Sequence, residues 1–443
     1  MTKLLLTFYG DDFTGSTDAM EQLTLAGIRT VLFVEPPTPA QLKQFPNLRA
    51  AGVAGMTRAM APDAIIKTLR LAFQKLKKLG ARHTHYKVCS TFDSSPQIGS
   101  IGRVLEIGSD IFPAPFVPIL AAAPALGRYT IFGNHFARFG IGSNGEIHRL
   151  DRHPSISRHP VTPMMEADLR LHLATQTKKK IALFDILKLA LPESESFAEL
   201  KKIAACKPDA ILFDALDAAH LQRIGTFLDQ FAAKNRPLFS IGSSGIEAAL
   251  AGSLGKLQQR SDNRLAATPG PAKQLLVGSG SCSPVTSVQI HWALKRGFAE
   301  VPLDPKKLTT RDGDAEIQRA IELAVNFLKT GRSVIVHTTR KFIASKLKNK
   351  TAEVLGPALG RVLRGALGSA DVQRVCVAGG DTSSFASRAL GIEALEMIAP
   401  LTPGAPVCKV SAPGSPADGH EFVFKGGQVG AENYFEIVKR GRI

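Results

Sequence analysis

Short apolar runs alternate with longer amphipathic stretches along the chain. The runs KLLLTFYG (3–10), TVLFVE (30–35), IALFDI (181–186), AILFDA (210–215), PLFSIG (237–242), QLLVGSG (274–280), SVIVHT (333–338) and RVCVAGG (374–380) predict strands buried on both faces. TDAMEQLTLAG (17–27), DAIIKTLRLAFQKLKKLG (63–80) and DAEIQRAIELAVNFLKTG (314–331) carry helical periodicity and predict helices between them. Doubly buried strands separated by helices predict an α/β fold of mostly parallel sheets flanked by helices.

At 443 residues the chain has room for two or three domains. GKLQQRSDNRLAATPGPAK (255–273) is polar, loses its periodicity and ends in Thr-Pro-Gly-Pro. It predicts a linker between an N-terminal domain, 1–254, and a C-terminal domain, 274–443. Residues 109–166 are rich in Gly, Pro, His and Arg and predict a long irregular stretch, either a functional loop or an insertion.

Composition narrows the class. Hydrophobic residues at 44% and charged residues at 21% are those of a folded globular protein. No apolar run approaches the roughly 20 residues that span a bilayer, and MTKLLLTFYGDD reads as a buried strand, not a signal peptide. The five cysteines form no CxxC pair, a reduced pattern without a zinc site, so a cytoplasmic location is expected. Lys and Arg exceed Asp and Glu by 55 to 38, which favours anionic partners. The basic residues are dispersed, KFIASKLKNK (341–350) being one of the densest stretches, and no basic–aromatic motif is interleaved with them. Nucleic acid is therefore not the expected partner, nor is a membrane; an acidic or phosphorylated small molecule suits the charge.

One local device recurs: a strand end, a Gly/Ser/Thr turn and a helix start. It appears at YGDDFTGST (9–17), SIGSSGIEAAL (240–250), VGSGSCSPVTSVQI (277–290) and AGGDTSSFASRAL (378–390). Such a turn offers free N–H groups and hydroxyls to a phosphate, or serves simply as an efficient capped loop. None is a Walker A loop, a dinucleotide GxGxxG or a serine-hydrolase elbow. His83 and His85 have the spacing of a metal pair, but alternate strand positions give the same spacing.

Asp12, with Asp11, follows the first strand: it can cap the next helix or take a proton from a substrate hydroxyl. Lys87, with Ser90, Thr91 and Asp93 in HYKVCSTFDSSPQIGSIGR (85–103), suits a hydroxylated carboxylate, or forms a strand end and a Ser turn. HRLDRHPSISRHPVTPM (148–164), with Arg158, reads as a solvated basic loop or as a lid over an anion.

Taken in order, YGDDFTGSTDAM, YKVCSTFDSSP, RHPVTPM, IGSSGIE, GSGSCSPVT, AGGDTSS and KGGQVG resemble the four-carbon acid sugar kinases, which include D-threonate, D-erythronate and 3-oxo-tetronate kinases. The resemblance runs from residue 9 to residue 430. It implies an N-terminal substrate domain, a C-terminal nucleotide domain and an active-site cleft between them. It assigns ATP to Ser281 and Ser283, to Gly379, Gly380, Asp381 and Thr382, and to Gly427 or Gly430. It assigns the acid sugar to Asp11, Asp12, Lys87, Ser90 and Thr91, with Arg158 as a further carboxylate contact and Asp12 as the catalytic group. Asp381 stands where the family carries Glu, and KGGQVG where many members read Lys-Ser-Gly-Asn-Phe-Gly.

The activity it implies is ATP- and Mg²⁺-dependent phosphorylation of a small four-carbon sugar acid, with a dedicated protein cage for the metal not expected. The alternatives are a branched oxo acid such as 3-oxo-isoapionate, which relatives phosphorylate, and a sensor that binds without turnover. A homodimer is compatible with the sequence.

Overall fold

The computed structural model describes residues 4–139, 145–159, 161–232, 236–255, 268–338 and 351–442. The basic stretch 341–350 and residues 256–267 of the expected linker lie outside them. The chain divides into two compact units. The first comprises Met1–Asp11, Gln22–Thr30 and Pro36–Ser261; the second comprises Asp12–Glu21, Val31–Glu35 and Asp262–Ile443. Among the described residues no helix is long and apolar enough to cross a membrane.

The first unit is built on a parallel sheet in the order Ala50–Ala54, Leu6–Gly10, His83–Lys87, Leu238–Gly242, Val117–Leu120, Ala210–Phe213, Ile181–Phe184. Helices cover it; Pro62–Lys78 lays Ile65, Leu69, Phe73 and Leu76 inward at helical spacing. Phe73, Phe112 and Phe239 then pack together, with ring centroids 5.2–5.8 Å apart. Gly10 lies opposite Ala54 and Lys87, and Lys87 opposite Gly242. The central strands thus end level, and the residues that follow them gather along one edge.

The expectation that 109–166 is irregular is corrected. This stretch contains the strand Val117–Leu120 and a three-stranded antiparallel sheet, Arg128–Ile131, Asn134–Arg138 and Ile147–Arg149. The first hairpin turns on Phe132 and Gly133, at φ 50° and 81°. Left-handed values at both central residues match the twist of paired strands. The Asp214 carboxylate accepts both of their N–H groups, at 2.5 and 3.0 Å. These strands are short and largely half-exposed, so their apolar pattern is weak.

The second unit has a mixed sheet. Ala299–Pro302, Val334–His337, Leu275–Ser279, Arg374–Ala378 and Glu421–Lys425 run parallel. Ala405–Ser411 and Ala394–Thr402 then continue antiparallel. Two segments from the N-terminal half belong to this unit. Phe33 and Leu32 pair antiparallel with Ala394 and Leu395, and the Phe13 ring packs on Phe424 at 4.5 Å. A single break in the chain does not provide for these segments, because both reach the unit through pairing and packing far apart in sequence.

Candidate active site

In the first unit, Leu6–Gly10 lies between Ala50–Ala54 and His83–Lys87. The chain leaves these strands in opposite directions across the sheet, and such a switch point opens a crevice at the strands' carboxyl ends. Asp11 stands there, its N–H donating to the Lys87 carbonyl at 2.8 Å. Its carboxylate accepts both Nε (3.0 Å) and Nη2 (2.8 Å) of Arg58, a fork-on-fork pair that aligns the guanidinium. Arg58 sits in the turn Thr57–Ala59, in GMTRAM, which no sequence motif marked.

Lys87 is buried at the strand end, with its Nζ donating to the Val88 carbonyl at 3.2 Å. Ser90 follows in a turn closed by the Phe92 N–H on the Cys89 carbonyl. Phe92 is buried with φ 58°, a left-handed conformation that an aromatic residue adopts only when its surroundings impose it. His135 Nε2 donates to the Ser90 carbonyl at 2.9 Å, and its Nδ1 accepts from Thr130. Burial pushes this histidine down to about 4, so it is a neutral strut. The Thr91 hydroxyl donates to Asp93 at 2.7 Å and accepts from the Cys89 thiol, which burial pushes up to about 11. Thr91 therefore has its proton committed within the turn.

Arg158 is exposed in a turn, and among the described residues its guanidinium makes no hydrogen bond or ion pair. His83 bonds Asp229 at 3.0 Å and His85 bonds Ser240, which accounts for their alternation. In the turn after Leu238–Gly242, Ser243 Oγ donates to the Ala122 carbonyl and accepts the Gly245 N–H. Gly242 and Gly245 are pressed against the Leu120 and Ala122 carbonyls, so these glycines serve packing.

The turns of the second unit differ. Leu275–Ser279 and Arg374–Ala378 are neighbours, and the chain leaves them toward opposite edges of their sheet, giving a second switch point. Both strands end in glycine turns that start helices, Pro284–Leu294 and Gly380–Ala389. Gly280 and Gly379 both stand against the Thr382 hydroxyl, and Gly379 takes φ 119°. A β-carbon on Gly427 would stand 2.8 Å from Ser281 Oγ, so the third turn closes on the first. Gly430, with φ 88°, is turned onto the Tyr434 ring instead.

Asp12 belongs to the second unit. Its Oδ1 accepts the Gly15 N–H at 2.6 Å, which caps the helix Phe13–Leu25. Its Oδ2 accepts the Thr14 hydroxyl at 3.2 Å, and a β-carbon on Gly380 would stand 3.2 Å from it. The cap is therefore real, and the other oxygen faces the glycine turn. Asp381 is exposed in the first turn of its helix.

This arrangement fits a polyphosphate. Among the described residues, the hydroxyls of Ser279, Ser283, Thr338 and Ser383 are buried without a hydrogen-bond partner, at strand ends and helix starts of this unit. Ser283 is the N-cap residue of its helix, yet its side chain makes no cap bond. Unused donors beside helix N-termini, in a cradle that side chains would fill, are what phosphate oxygens require. Asp12 and Asp381 are hard oxygen donors of the kind that would face a hydrated Mg²⁺.

Comparison with known proteins agrees. Residues 6–250 match the family description "Sugar-binding N-terminal domain" and residues 276–435 "Nucleotide-binding C-terminal domain". The chain belongs to the four-carbon acid sugar kinase family and is an ATP-dependent phosphotransferase. It is 43% identical to a 3-oxo-isoapionate kinase of Paraburkholderia graminis, over 99% of this chain and 95% of that one. It is 30% identical to a 3-oxo-tetronate kinase of Cupriavidus necator, over 98% and 96%. The fold is shared with a Salmonella typhimurium structure described as a putative tRNA synthase, at TM-score 0.77 and 24% identity over 98% of both chains. It is shared too with a Haemophilus influenzae protein at TM-score 0.70 and 23% identity, over 98% of this chain and 99% of that one.

Proposed function

We propose that this chain transfers the γ-phosphoryl of ATP to a hydroxyl of a small oxo sugar acid, with a branched acid of the 3-oxo-isoapionate kind as the preferred acceptor. The observation that carries the choice is the 43% identity to a 3-oxo-isoapionate kinase, against 30% to a 3-oxo-tetronate kinase. The linear four-carbon acids are the second reading: 3-oxo-tetronate is supported by the more distant relatives, and threonate and erythronate are its reduced counterparts.

In this reading Lys87 and Arg58 pair with the acid's carboxylate, Ser90 meets its hydroxyls, and Thr91 acts as an acceptor only. Asp11 aligns Arg58. Asp12 orients the attacking hydroxyl and takes its proton. Ser281, Ser283, Gly379, Gly380, Thr382 and Gly427 hold the phosphates, and bound ATP with Mg²⁺ supplies the transferable group and neutralises its charge. Acid and nucleotide meet in a cleft between the two domains, whose closure keeps water from the phosphoryl group.

A coupled ADP-release assay with 3-oxo-isoapionate, 3-oxo-tetronate, threonate and erythronate tests the assignment. The branched acid should lead in kcat/KM by about tenfold or more, the scale one pocket contact supplies. Faster turnover of a linear acid would reverse the order of the two readings.

A further inference from the structure

Lys425 ends the strand Glu421–Lys425 and is fully buried. A buried ammonium is costly, and lysines in that position are usually paired with a carboxylate. Among the described residues no carboxylate lies within ion-pair distance of Lys425. The titratable groups packed against it are Cys376 and Tyr434, whose ring centroid lies 5.4 Å from Nζ; Glu21 in turn acts on Tyr434. Burial pushes the Cys376 thiol up to about 12 and the Tyr434 phenol well above its usual range. Neither supplies a negative charge near neutral pH. The ammonium itself is pushed down to about 8 by the same burial.

What Lys425 does touch is the nucleotide cradle. Nζ donates to Thr286 Oγ1 at 3.0 Å, and Thr286 donates onward to the Gly427 carbonyl at 2.9 Å. Its own carbonyl accepts the Gly379 N–H at 2.9 Å. One residue thereby ties two of the three glycine turns, and Gly427 closes on Ser281 of the remaining one. Gln289, one turn along the helix from Thr286, donates to the carbonyls of Val429, Gly430 and Ala431 and holds the far end of the loop.

We propose that Lys425 is a positioning residue for the nucleotide: it places beneath the Gly426–Gly427 loop the positive charge that a polyphosphate compensates, and through Thr286 it sets the loop's path against Ser281. The inference rests on the nucleotide reading of these turns and deepens it.

The test measures ADP binding by calorimetry in the full chain, for the wild type, Lys425→Met, Thr286→Val and Thr286→Ser. Lys425→Met should weaken ADP by about tenfold or more, the scale of a lost interaction with a charged donor. Thr286→Val should weaken it about fivefold, and Thr286→Ser, which keeps the relay, should stay within about twofold. At about pH 9, in two buffers of different ionisation heat, the wild type should take up protons on binding ADP and Lys425→Met should take up fewer. The KM for the sugar acid should be unchanged in all three variants. A folded Lys425→Met protein with wild-type ADP affinity, or with undiminished proton uptake, overturns the role of the charge. Should Lys425→Met not fold, wild-type affinity in Thr286→Val overturns the relay. Failure of the wild type itself to bind ADP would instead sink the nucleotide reading.

Discussion

Asp12→Asn separates the two duties of one carboxylate. Oδ1 accepts the Gly15 N–H at 2.6 Å and caps a helix; Oδ2 faces Gly380 beside the Thr14 hydroxyl. Asn keeps an oxygen for Gly15 and ranks with Asp as an N-cap. What it loses at the helix start is the charge–dipole contribution, about 0.3–1 kcal/mol. The shift in Tm should therefore be small, about 2 °C or less for a chain of this size. Its amide has no proton affinity to offer an attacking hydroxyl, so kcat should fall by about 10²–10⁴. Asp12→Ala should lose the same turnover and in addition about 1 kcal/mol of stability, as the cap goes. Scanning calorimetry alongside the ADP-release assay reads both quantities. An Asn variant with wild-type kcat would refute the proton-accepting role. Equal destabilisation of Asn and Ala, with turnover following the folded fraction, would leave only the cap.

Other outcomes follow from the same geometry. Gly380→Ala puts a methyl 3.2 Å from an oxygen of Asp12, whose carboxylate is already bonded to Gly15 and Thr14 and can yield little; ADP affinity should drop about tenfold and Tm should not rise, because this contact offsets the up to ~1 kcal/mol by which Ala favours a helix over Gly, and unchanged binding would show that this turn does not cradle the phosphates. Arg58→Lys cannot reproduce the two-pronged contact with Asp11, so the KM for the sugar acid should rise about tenfold with the KM for ATP unaltered; steady-state kinetics in both substrates decide it, and a rise confined to ATP would contradict the assignment. Glu21, which accepts the Gly404 N–H at 2.6 Å, is pushed by burial from 4.5 up to about 7. The folded protein holds a proton there that the unfolded chain releases, so its stabilisation is full below pH 4.5 and is lost as pH rises through about 7. Glu21→Gln should match the wild type in Tm at about pH 5 and exceed it at about pH 8; a wild type more stable at the higher pH would contradict this.

The parallel strands were legible because their positions are apolar without alternation, which only a doubly covered sheet accommodates. Leu275–Ser279 and Arg374–Ala378 are read directly from QLLVGSG and RVCVAGG. The hairpin sheet at 128–149 was not legible, since its strands are short and half-exposed and their pairing depends on a turn held by distant Asp214. Arg58 carried no sequence signal because nothing in GMTRAM marks its partner Asp11, and the cluster of like charges around Arg158 does not by itself say what that side chain contacts.

By itself the amino-acid order determined the α/β architecture, the places where strands break into glycine turns, and the ordered segments that mark the family. These are local properties: backbone freedom, periodicity and residue identity at short range. Only the tertiary structure decided which glycine turns are packed against neighbouring groups and which keep hydroxyls without a partner among the described residues, because that depends on contacts between residues far apart in the chain. Ser243 spends its hydroxyl on Ala122, whereas Ser279, Ser283 and Ser383 find no partner among the described residues. It also decided that Asp12 counts with the second unit and that a buried lysine at 425 reaches Gly427 through Thr286, relations set by strand register and side-chain packing across hundreds of residues.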